Sequence, residues 1–504
     1  MVEVSRSLIL VIIIISAIIF FQASDQSIFS QQDSGSETTM SMSPSASGSE
    51  ESITSYIDAL IKAPLLVSQC AIVGIVFSQI LFKRIFSNRL LISSGRRNNI
   101  IQTDLGIAKR LFLVLTVSAV TLIASGTGSL ILQVYNLLSE LGLGFSDTFS
   151  ILINTSIGTT WLLRIVTSVL ILVLIPVQYI LVRKKKDKIG RTSTSISAKK
   201  IINIILYAIL ILGTINIFSN SMVSHNAAAE FIPPLAISVD WLHMMAVSIW
   251  LGGLFYISLI LLYAIRISSN SPDYEIYSNA KEKTMIIRNS FSLAIMIPYF
   301  SMIAVISLGV ISISGLYMAW LQLQSIGSLF DSLYGNILIL KLCVIAPMIV
   351  LGAYHQIKLH YAMVQTAQRK ESKPQEQFGN IPNNLRQRDG KDSYINRGGR
   401  YDPFRRFSKT IKIESLIGIT VLVITSFLTI TSPPSMVHSD SQMQMDMQGS
   451  GGSNNNQITP TISDAFTITA LILAITVLIV SLYYYRKSKQ DLKITVDLLQ
   501  RNEK

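Results

Sequence analysis

Nine long apolar stretches constrain this chain more than any other feature of its sequence. They cover residues 57–82, 107–133, 160–182, 200–222, 235–265, 291–321, 335–360, 413–432 and 463–485. Each is long enough to cross a hydrocarbon core of about 30 Å as a helix. Only 14% of the residues are charged and the mean hydropathy is +0.49, whereas soluble domains carry roughly 25% charge. The sequence therefore predicts an all-α polytopic membrane bundle with nine transmembrane helices.

Lysine and arginine alternate from loop to loop along the chain. They cluster in loops 83–110, 183–200, 266–289 and 358–412 and in the tail from residue 486. The intervening loops, at 134–158, 223–234, 322–334 and 433–462, contain none. Because basic loops remain in the cytoplasm, the pattern predicts a cell-membrane protein with its mature N-terminus outside and its C-terminus inside. The net charge of +13 is thus dispersed over separate loops, which argues against a nucleic-acid partner, since that needs one contiguous basic surface.

The polar segments are predicted to be linkers. Residues 1–23 have a short apolar core followed by small residues, which indicates a signal peptide or, alternatively, an uncleaved N-terminal anchor. The extracytoplasmic Ser- and Met-containing segment 24–56 and the cytoplasmic linker 365–406 are too polar to build a core, so both are predicted to be disordered. The remaining units are a membrane domain at 57–434, a Met-rich outer loop at 435–462, an additional transmembrane helix at 463–485 and a cytoplasmic tail at 486–504.

The most informative polar residues lie in the fifth apolar stretch. Asp240, His243 and Met244 share one face of a helix, so the carboxylate can reach the imidazole one turn away. That is the arrangement of a metal ligand and the partner that orients it. His225 lies in the preceding loop, one turn after Met222, where it can reach the mouth of the same helix. The alternative is a core histidine that is hydrogen-bonded to Asp240, with His225 at the surface.

Methionines recur in the outer loops. The loop at 435–462 carries Met436, His438, Met443, Met445 and Met447, and Met40 and Met42 lie in the N-terminal outer segment. Thioether and imidazole ligands together favour Cu(I) over hard cations, so the pattern predicts copper capture, with compositional drift as the alternative. Cys70 and Cys343 are predicted to be small core residues rather than thiolate ligands. His355 and His360, near the inner end of the seventh stretch, could form an exit site or lie among the headgroups.

A weak internal repeat relates spans two and three to spans six and seven. Residues 155–164 align with residues 332–341, and each copy has a glycine at its outer helix start with a cation six residues later, Arg164 or Lys341. Both copies cross the membrane in the same direction, which makes this a parallel repeat. The two cations either snorkel to the headgroups or pair within the protein, or else they form an anion clamp or a gate.

Several elements resemble the CopD family of copper-resistance membrane proteins. The resemblance rests on residues 224–228, on the Asp-x-Leu-His…Trp-x-Gly-Gly pattern of 240–253, on Ser314-Gly315, on Tyr334-Gly335 with Leu340-Lys341, and on Arg405-Arg406, Glu414 and 428–434. Together they cover roughly residues 57–434 in family order. The resemblance implies an eight-helix core that moves copper across the membrane, often with an extracytoplasmic partner of the CopC type. Here the outer N-terminal segment is too short for a fused CopC-like domain, and the ninth helix extends the usual core.

The sequence thus predicts copper transport, with capture by the outer methionines and transfer through His225 and His243. Asp240 would orient His243, and Arg164, Lys341 and Glu414 would be structural or gating charges. No P-loop, Gly-x-Ser-x-Gly or Cys-x-x-Cys motif is present, so neither an enzyme nor a pump with its own ATPase unit is predicted. Copper, preferably Cu(I), and membrane lipids are the expected ligands. The alternatives are a membrane haem or electron-transfer protein, and a copper sensor or holding protein without transport.

Overall fold

The computed structural model describes residues 48–87, 97–142, 144–187, 195–224, 233–263, 278–323, 325–355, 403–435 and 464–501. This part of the chain consists of helices and short connections, which confirms the predicted all-α bundle. The helices are α1 (Gly48–Ser87), α2 (Arg97–Leu141), α3 (Phe145–Ile153), α4 (Ser156–Asp187), α5 (Ser195–Ser221), α6 (Pro233–Phe255), α7 (Ser278–Leu323), α8 (Ser328–Asp331), α9 (Leu333–Tyr354), α10 (Pro403–Leu428) and α11 (Asp464–Arg501). A π-helical turn, Tyr256–Leu261, continues α6.

Within these residues, nine helices are long and apolar enough to cross a membrane, as predicted. Their spanning parts are Tyr56–Lys83, Ile107–Ser139, Ile157–Lys184, Lys200–Ser221, Pro233–Leu261, Met296–Leu323, Leu333–Tyr354, Arg406–Leu428 and Thr467–Gln490. The largest boundary difference is in the eighth span, which begins at Arg406 rather than 413, because a helix continues into basic residues that can reach the headgroups. The direction in which the spans cross stays a prediction.

Several predicted segments lie partly or wholly outside the described residues. The signal peptide or anchor at 1–23 does so entirely, as does most of the outer segment 24–56, of which only the part from Gly48 is described, in α1. The described structure likewise omits 356–402, which holds most of the linker 365–406, and 436–463, which holds the Met-rich loop. The tail predicted from residue 486 continues helix α11 to Arg501.

Helices α1 and α6 form the centre of the bundle. The apolar core runs along α1 and α6 and includes Cys70, Ile75, Trp250 and Leu254. Around this pair, α2 and α5 pack on α1, α7 packs on α6, and α10 contacts both. Helix α9 packs mainly along α10, and its other faces remain open, which suits a helix whose apolar side chains face lipid.

A glycine on each central helix brings α1 and α6 into backbone contact. A Cβ atom on Gly252 would lie 2.6 Å from the carbonyl oxygen of Cys70, and one on Gly74 would overlap the carbonyl oxygen of Ser248. Only glycine allows two helices to approach so closely. The Ser248 hydroxyl also lies 3.4 Å from the Cys70 sulfur. The two helices therefore meet without a gap at this depth.

These contacts between α1 and α6 are reciprocal. Gly74 contacts Ser248, which is four residues before Gly252, and Gly252 contacts Cys70, which is four residues before Gly74. Cys70 and Ser248 are 178 positions apart in the sequence, and so are Gly74 and Gly252. Reciprocal contact between equivalent positions is the signature of a two-fold interface. The contacts are those expected if α1 and α6 are equivalent helices, and the parallel repeat stays a prediction.

The helix starts of α4 and α9 repeat the same local structure. In each, a short helix ends one turn earlier, and a hydroxyl then caps the new helix: Thr155 Oγ1 accepts from the Gly158 amide at 3.2 Å, and Ser332 Oγ from the Gly335 amide at 2.9 Å. Both glycines lie against the backbone of the preceding short helix, where any Cβ atom would overlap it. Arg164 and Lys341 follow six residues later in equivalent positions.

The ninth spanning helix, α11, lies along α7 at the edge of the bundle. Trp320 Nε1 donates to Thr467 Oγ1 at 3.1 Å, and the hydroxyls of Ser301 and Ser488 are 3.4 Å apart. Between them, Gly309 faces Ser481, whose Oγ would lie 2.8 Å from a Cβ atom on that glycine. Three contacts along the helix therefore define its register on α7.

Candidate functional site

His243 lies buried where α6 meets α7. Its Nδ1 atom is 2.9 Å from Ser314 Oγ, and 7% of the residue is exposed. Gly315 lies beside the ring, with its Cβ position 3.5 Å from Cε1 of the imidazole. The Ser-Gly pair therefore allows α7 to approach the histidine and supplies its hydrogen-bond partner. We call His243, Ser314 and Gly315 the α6–α7 site.

The hydrogen bonds around Ser314 favour one tautomer of the His243 imidazole. The Ser314 hydroxyl donates to the carbonyl oxygens of Val310 and Ile311, at 2.6 and 3.2 Å. A hydroxyl has one hydrogen, so when Ser314 donates to a carbonyl it acts toward His243 as an acceptor, and Nδ1 is the donor. The lone pair of a neutral imidazole is then on Nε2. A hydrogen-bonded Nδ1 and a free Nε2 lone pair are the arrangement of a metal-binding histidine.

A second set of polar groups lies close to this site. Asp240 is within electrostatic range of Lys341 and of Tyr334, both on α9, and Lys341 is also within range of His243. The Tyr334 hydroxyl donates to Gln322 on α7. Residues from three helices, α6, α7 and α9, thus surround one region. The proposed hydrogen bond from His243 to Asp240 stays a prediction, because the partner seen at Nδ1 is Ser314.

Arg164 occupies the equivalent position in the first repeat, but its surroundings differ. It is 4% exposed, so the guanidinium does not reach the surface as a snorkelling side chain would. Its Nε donates to Ser219 Oγ and its Nη2 to the Ser219 carbonyl, both at 3.2 Å. The guanidinium carbon also lies 4.1 Å from the centre of the Trp161 ring. Among the described residues no carboxylate pairs with it, and uncharged groups hold the charge instead.

Hydrogen-bonded amides continue this network from Arg164 into α1. Asn216 Nδ2 donates to the Arg164 carbonyl at 3.0 Å, and Gln69 Nε2 donates to Asn216 Oδ1 at 2.8 Å. Asn220 Nδ2 in turn donates to Gln69 Oε1 at 2.5 Å. These groups satisfy one another inside the bundle, which suits a structural role.

Near the opposite end of α9, His355 pairs with Glu414 of α10. His355 Nδ1 lies 3.1 Å from Glu414 Oε2, and its Nε2 lies 2.6 Å from Thr410 Oγ1. Both ionisable side chains are buried, with 7% and 3% of their area exposed. The ring of Phe407 packs edge-on against the imidazole, with centroids 5.3 Å apart. The charge predicted at Glu414 is therefore part of a buried cluster.

The other predicted residues are placed as follows. Met244 is buried in the core next to His243 in sequence, and Met222 is half-buried in the turn after α5. His225, His360, Met40, Met42 and the loop residues Met436, His438, Met443, Met445 and Met447 lie outside the described residues. Cys70 is buried, as predicted, but Cys343 is exposed. The prediction for Cys343 was wrong because α9 packs on one side only.

The sequence alone did not identify the partners of the two buried histidines. Ser314 was noted as part of the CopD resemblance, and Thr410 was not singled out. Serine and threonine are frequent in membrane helices, so a hydroxyl has no distinctive pattern until its partner is known. The described residues hold no group of three or more His, Cys, Asp or Glu that could bind a metal. A copper site at His243 would therefore need thioether, hydroxyl or loop ligands.

Comparison with known proteins gives one match. Residues 294–428 match the family model described as CopD, copper resistance protein D. The matched segment contains most of α7, then α8, α9 and α10, and so includes Ser314, Tyr334, Lys341 and Glu414. It confirms the CopD-type resemblance and supports a role in copper resistance or transport. No curated protein and no solved structure matches the chain.

Proposed function

Since residues 294–428 match the CopD family, we propose that this chain moves copper across the cell membrane, with His243 as its ligand inside the bundle. The observation that carries the proposal is the contact between His243 and Ser314, 2.9 Å long and buried. It joins helix α6 to the matched segment and leaves Nε2 of a neutral imidazole available to a metal. Neutral imidazole and thioether ligands suit Cu(I).

Copper would reach this ligand from the predicted outer side. His243 lies in the half of α6 nearer Pro233, and the Met-rich loop and the loop carrying His225 are predicted to lie on that side. Flexible thioethers can capture Cu(I) without a preformed cage, and His225 with Met222 would pass it to His243. A separate CopC-like protein is a candidate donor. Met244 would complete the ligand set if α6 turned slightly.

Asp240 and Lys341 would control access to the site. A buried carboxylate and ammonium compensate one another's charge when no metal is present. An arriving copper ion would compete with Lys341 for Asp240, so movement of the lysine would open the path. Arg164 has no such acid among its described partners, and we assign it to the structure of the first repeat.

The test is copper binding and flux with the full chain in nanodiscs and in proteoliposomes. We expect wild type to bind Cu(I) under reducing conditions, and His243→Ala to lose that binding and the copper flux. Asn203→Ala, on α5 and exposed, is the matched control and should keep both. Elemental analysis decides the outcome: iron near one atom per chain would support the haem alternative, and binding without flux would support a holding protein.

The outer methionines need their own comparison. Replacing Met443, Met445 and Met447 by leucine removes three thioethers at nearly constant volume. We expect copper uptake by cells to fall at limiting copper and to recover when copper is abundant, because capture limits the rate only in the first case. Uptake that is unchanged at limiting copper would contradict a capture role for this loop.

A further inference from the structure

His355, Thr410 and Glu414 form a cluster that supplies none of the proposed copper ligands. Its His355–Glu414 pair is the most buried ion pair among the described residues. It lies where α9 ends against α10, on the side where lysine and arginine cluster in the sequence. Glu414 Oε2 lies 3.1 Å from His355 Nδ1 but accepts no hydrogen bond from the described residues. Ionisable residues inside a membrane commonly carry protons or substrates.

The surroundings isolate this pair from other charges. On α10, Arg406, Lys409 and Lys412 are exposed, and on the π-helical turn Ser258 bonds to Ser415 at 3.1 Å. The Lys83 ammonium on α1 donates to Asn203 Oδ1. The Tyr256 hydroxyl on the π-helical turn donates to Gln79 Oε1 on α1. Tyr354 lies beside His355 on α9, with ring centroids 6.2 Å apart. Among the described residues, then, His355 and Glu414 interact as one unit.

The hydrogen bonds of Thr410 allow this unit two protonation states. Thr410 Oγ1 lies 3.0 and 3.2 Å from the carbonyl oxygens of Arg406 and Phe407, as well as 2.6 Å from His355 Nε2. If its hydrogen points to a carbonyl, Thr410 accepts from Nε2–H, and a proton on Glu414 Oε2 then faces the lone pair of Nδ1. If its hydrogen points to Nε2 instead, Nδ1–H donates to an ionised Glu414.

The two states differ by one proton and by the rotation of one hydroxyl. In the first, His355 and Glu414 together are neutral; in the second, the pair carries one negative charge. Uptake of one proton by the second state gives the first, so the reaction is balanced without any other group. No backbone movement is needed, because all the heavy atoms already lie at hydrogen-bond distance.

We propose that His355, Thr410 and Glu414 form a proton-binding site that controls the passage of copper at the inner end of the bundle. This inference rests on the proposed transport function for its consequence, but not for the proton site itself. The deprotonated pair attracts a cation, and the protonated pair does not. Copper flux through the wild type should therefore rise as the compartment on this side becomes more alkaline, by at most about tenfold per pH unit.

The proton site can be tested without copper. In nanodiscs, infrared difference spectra recorded over a series of pH values should show the carbonyl band of a protonated carboxylic acid. We expect the band in wild type and in Lys412→Gln, which removes an exposed charge from the same helix, and its loss in Glu414→Gln. A wild-type band that persists unchanged in Glu414→Gln, or no band in wild type, would overturn the proposal.

Thr410→Val provides a second variant that keeps both ionisable groups. Without the hydroxyl, His355 Nε2 loses its hydrogen-bond partner in both states, so we expect the pH at which the same band disappears to differ from that of wild type. Should Glu414→Gln fail to fold, as judged by gel filtration, an unchanged transition in Thr410→Val would still refute the two-state arrangement.

Flux measurements then connect the site to copper. In proteoliposomes with the pH varied on one side only, wild type and Lys412→Gln should show the pH-dependent flux, and Glu414→Gln should transport copper at a rate that pH does not change. A variant that retains the wild-type pH response would refute the control of copper passage. Wild type without copper flux would refute the proposed function, while the infrared result would still stand.

Discussion

At the scale of single residues, hydroxyl groups decide what the buried histidines can do. Ser314 Oγ lies 2.9 Å from His243 Nδ1, and Thr410 Oγ1 lies 2.6 Å from His355 Nε2. The same chemistry has different consequences in the two places, because Ser314 faces a histidine alone whereas Thr410 faces one that also meets a carboxylate. We propose that the first arrangement presents a lone pair to a metal and that the second holds a proton.

Ser314→Ala should weaken copper binding without abolishing it. Loss of the hydroxyl leaves the imidazole free to rotate and to change tautomer, and such losses around metal-binding histidines reduce affinity about 10- to 100-fold. Competition with a Cu(I) chelator would measure the change. Ser307→Ala is the control, since Ser307 is a buried serine of the same helix. Equal affinity of Ser314→Ala and wild type would show that Ser314 does not orient His243.

At the scale of helices, glycine positions determine which helices touch. Gly74→Ala should destabilise the protein by about 1–3 kcal/mol or more, since the new Cβ would overlap the Ser248 carbonyl and force α1 and α6 apart. Gly126→Ala is the matched control, because its Cβ would meet nothing nearer than Leu65 Cδ1 at 3.8 Å. Thermal unfolding in detergent would compare them. Similar midpoints for both variants would contradict the close contact of α1 and α6.

The register of α11 on α7 gives another prediction at this scale. The hydroxyls of Ser301 and Ser488 lie 3.4 Å apart, so Ser301→Cys with Ser488→Cys should form a disulfide on mild oxidation. A matched pair, Ser301→Cys with Ser481→Cys, should not, because Ser481 faces Gly309 two turns away. Mass spectrometry of the crosslinked peptides would decide. Efficient crosslinking of both pairs would mean that α11 slides or detaches.

The spans were predictable from the sequence, whereas the contacts between them were not. A span depends on the hydropathy of its own residues, so the nine stretches coincide with nine helices of the described structure. The partner of His243 lies 71 positions away, and nothing local to either residue indicates the pairing. Lys341 and Arg164 show the same limit: one sequence pattern predicted both, but their neighbours differ. The repeat was visible because its caps and glycines are local features.

At the scale of the whole molecule, the two repeats have diverged in chemistry. The first holds Arg164 among serine and amide groups, and the second places Lys341 near Asp240 and His243. Arg164→Met should therefore lower the thermal unfolding temperature while copper affinity of the folded protein stays unchanged. Lys341→Met should leave the thermal unfolding temperature nearly unchanged and should alter copper affinity and copper flux. If Arg164→Met changed copper affinity and Lys341→Met did not, the assignment of roles to the repeats would be exchanged.

The contact of Gly74 with Gly252 has a consequence for the route that an ion can take. In many symmetric channels the pore follows the symmetry axis, since identical walls enclose it from every side. Here the axis passes through two backbones in contact, so it is closed at that depth. If the chain transports copper as proposed, the ion must cross beside the axis, inside one half. A single chain would then offer one route rather than two, and the half that holds Arg164 among uncharged groups would form one wall of that route.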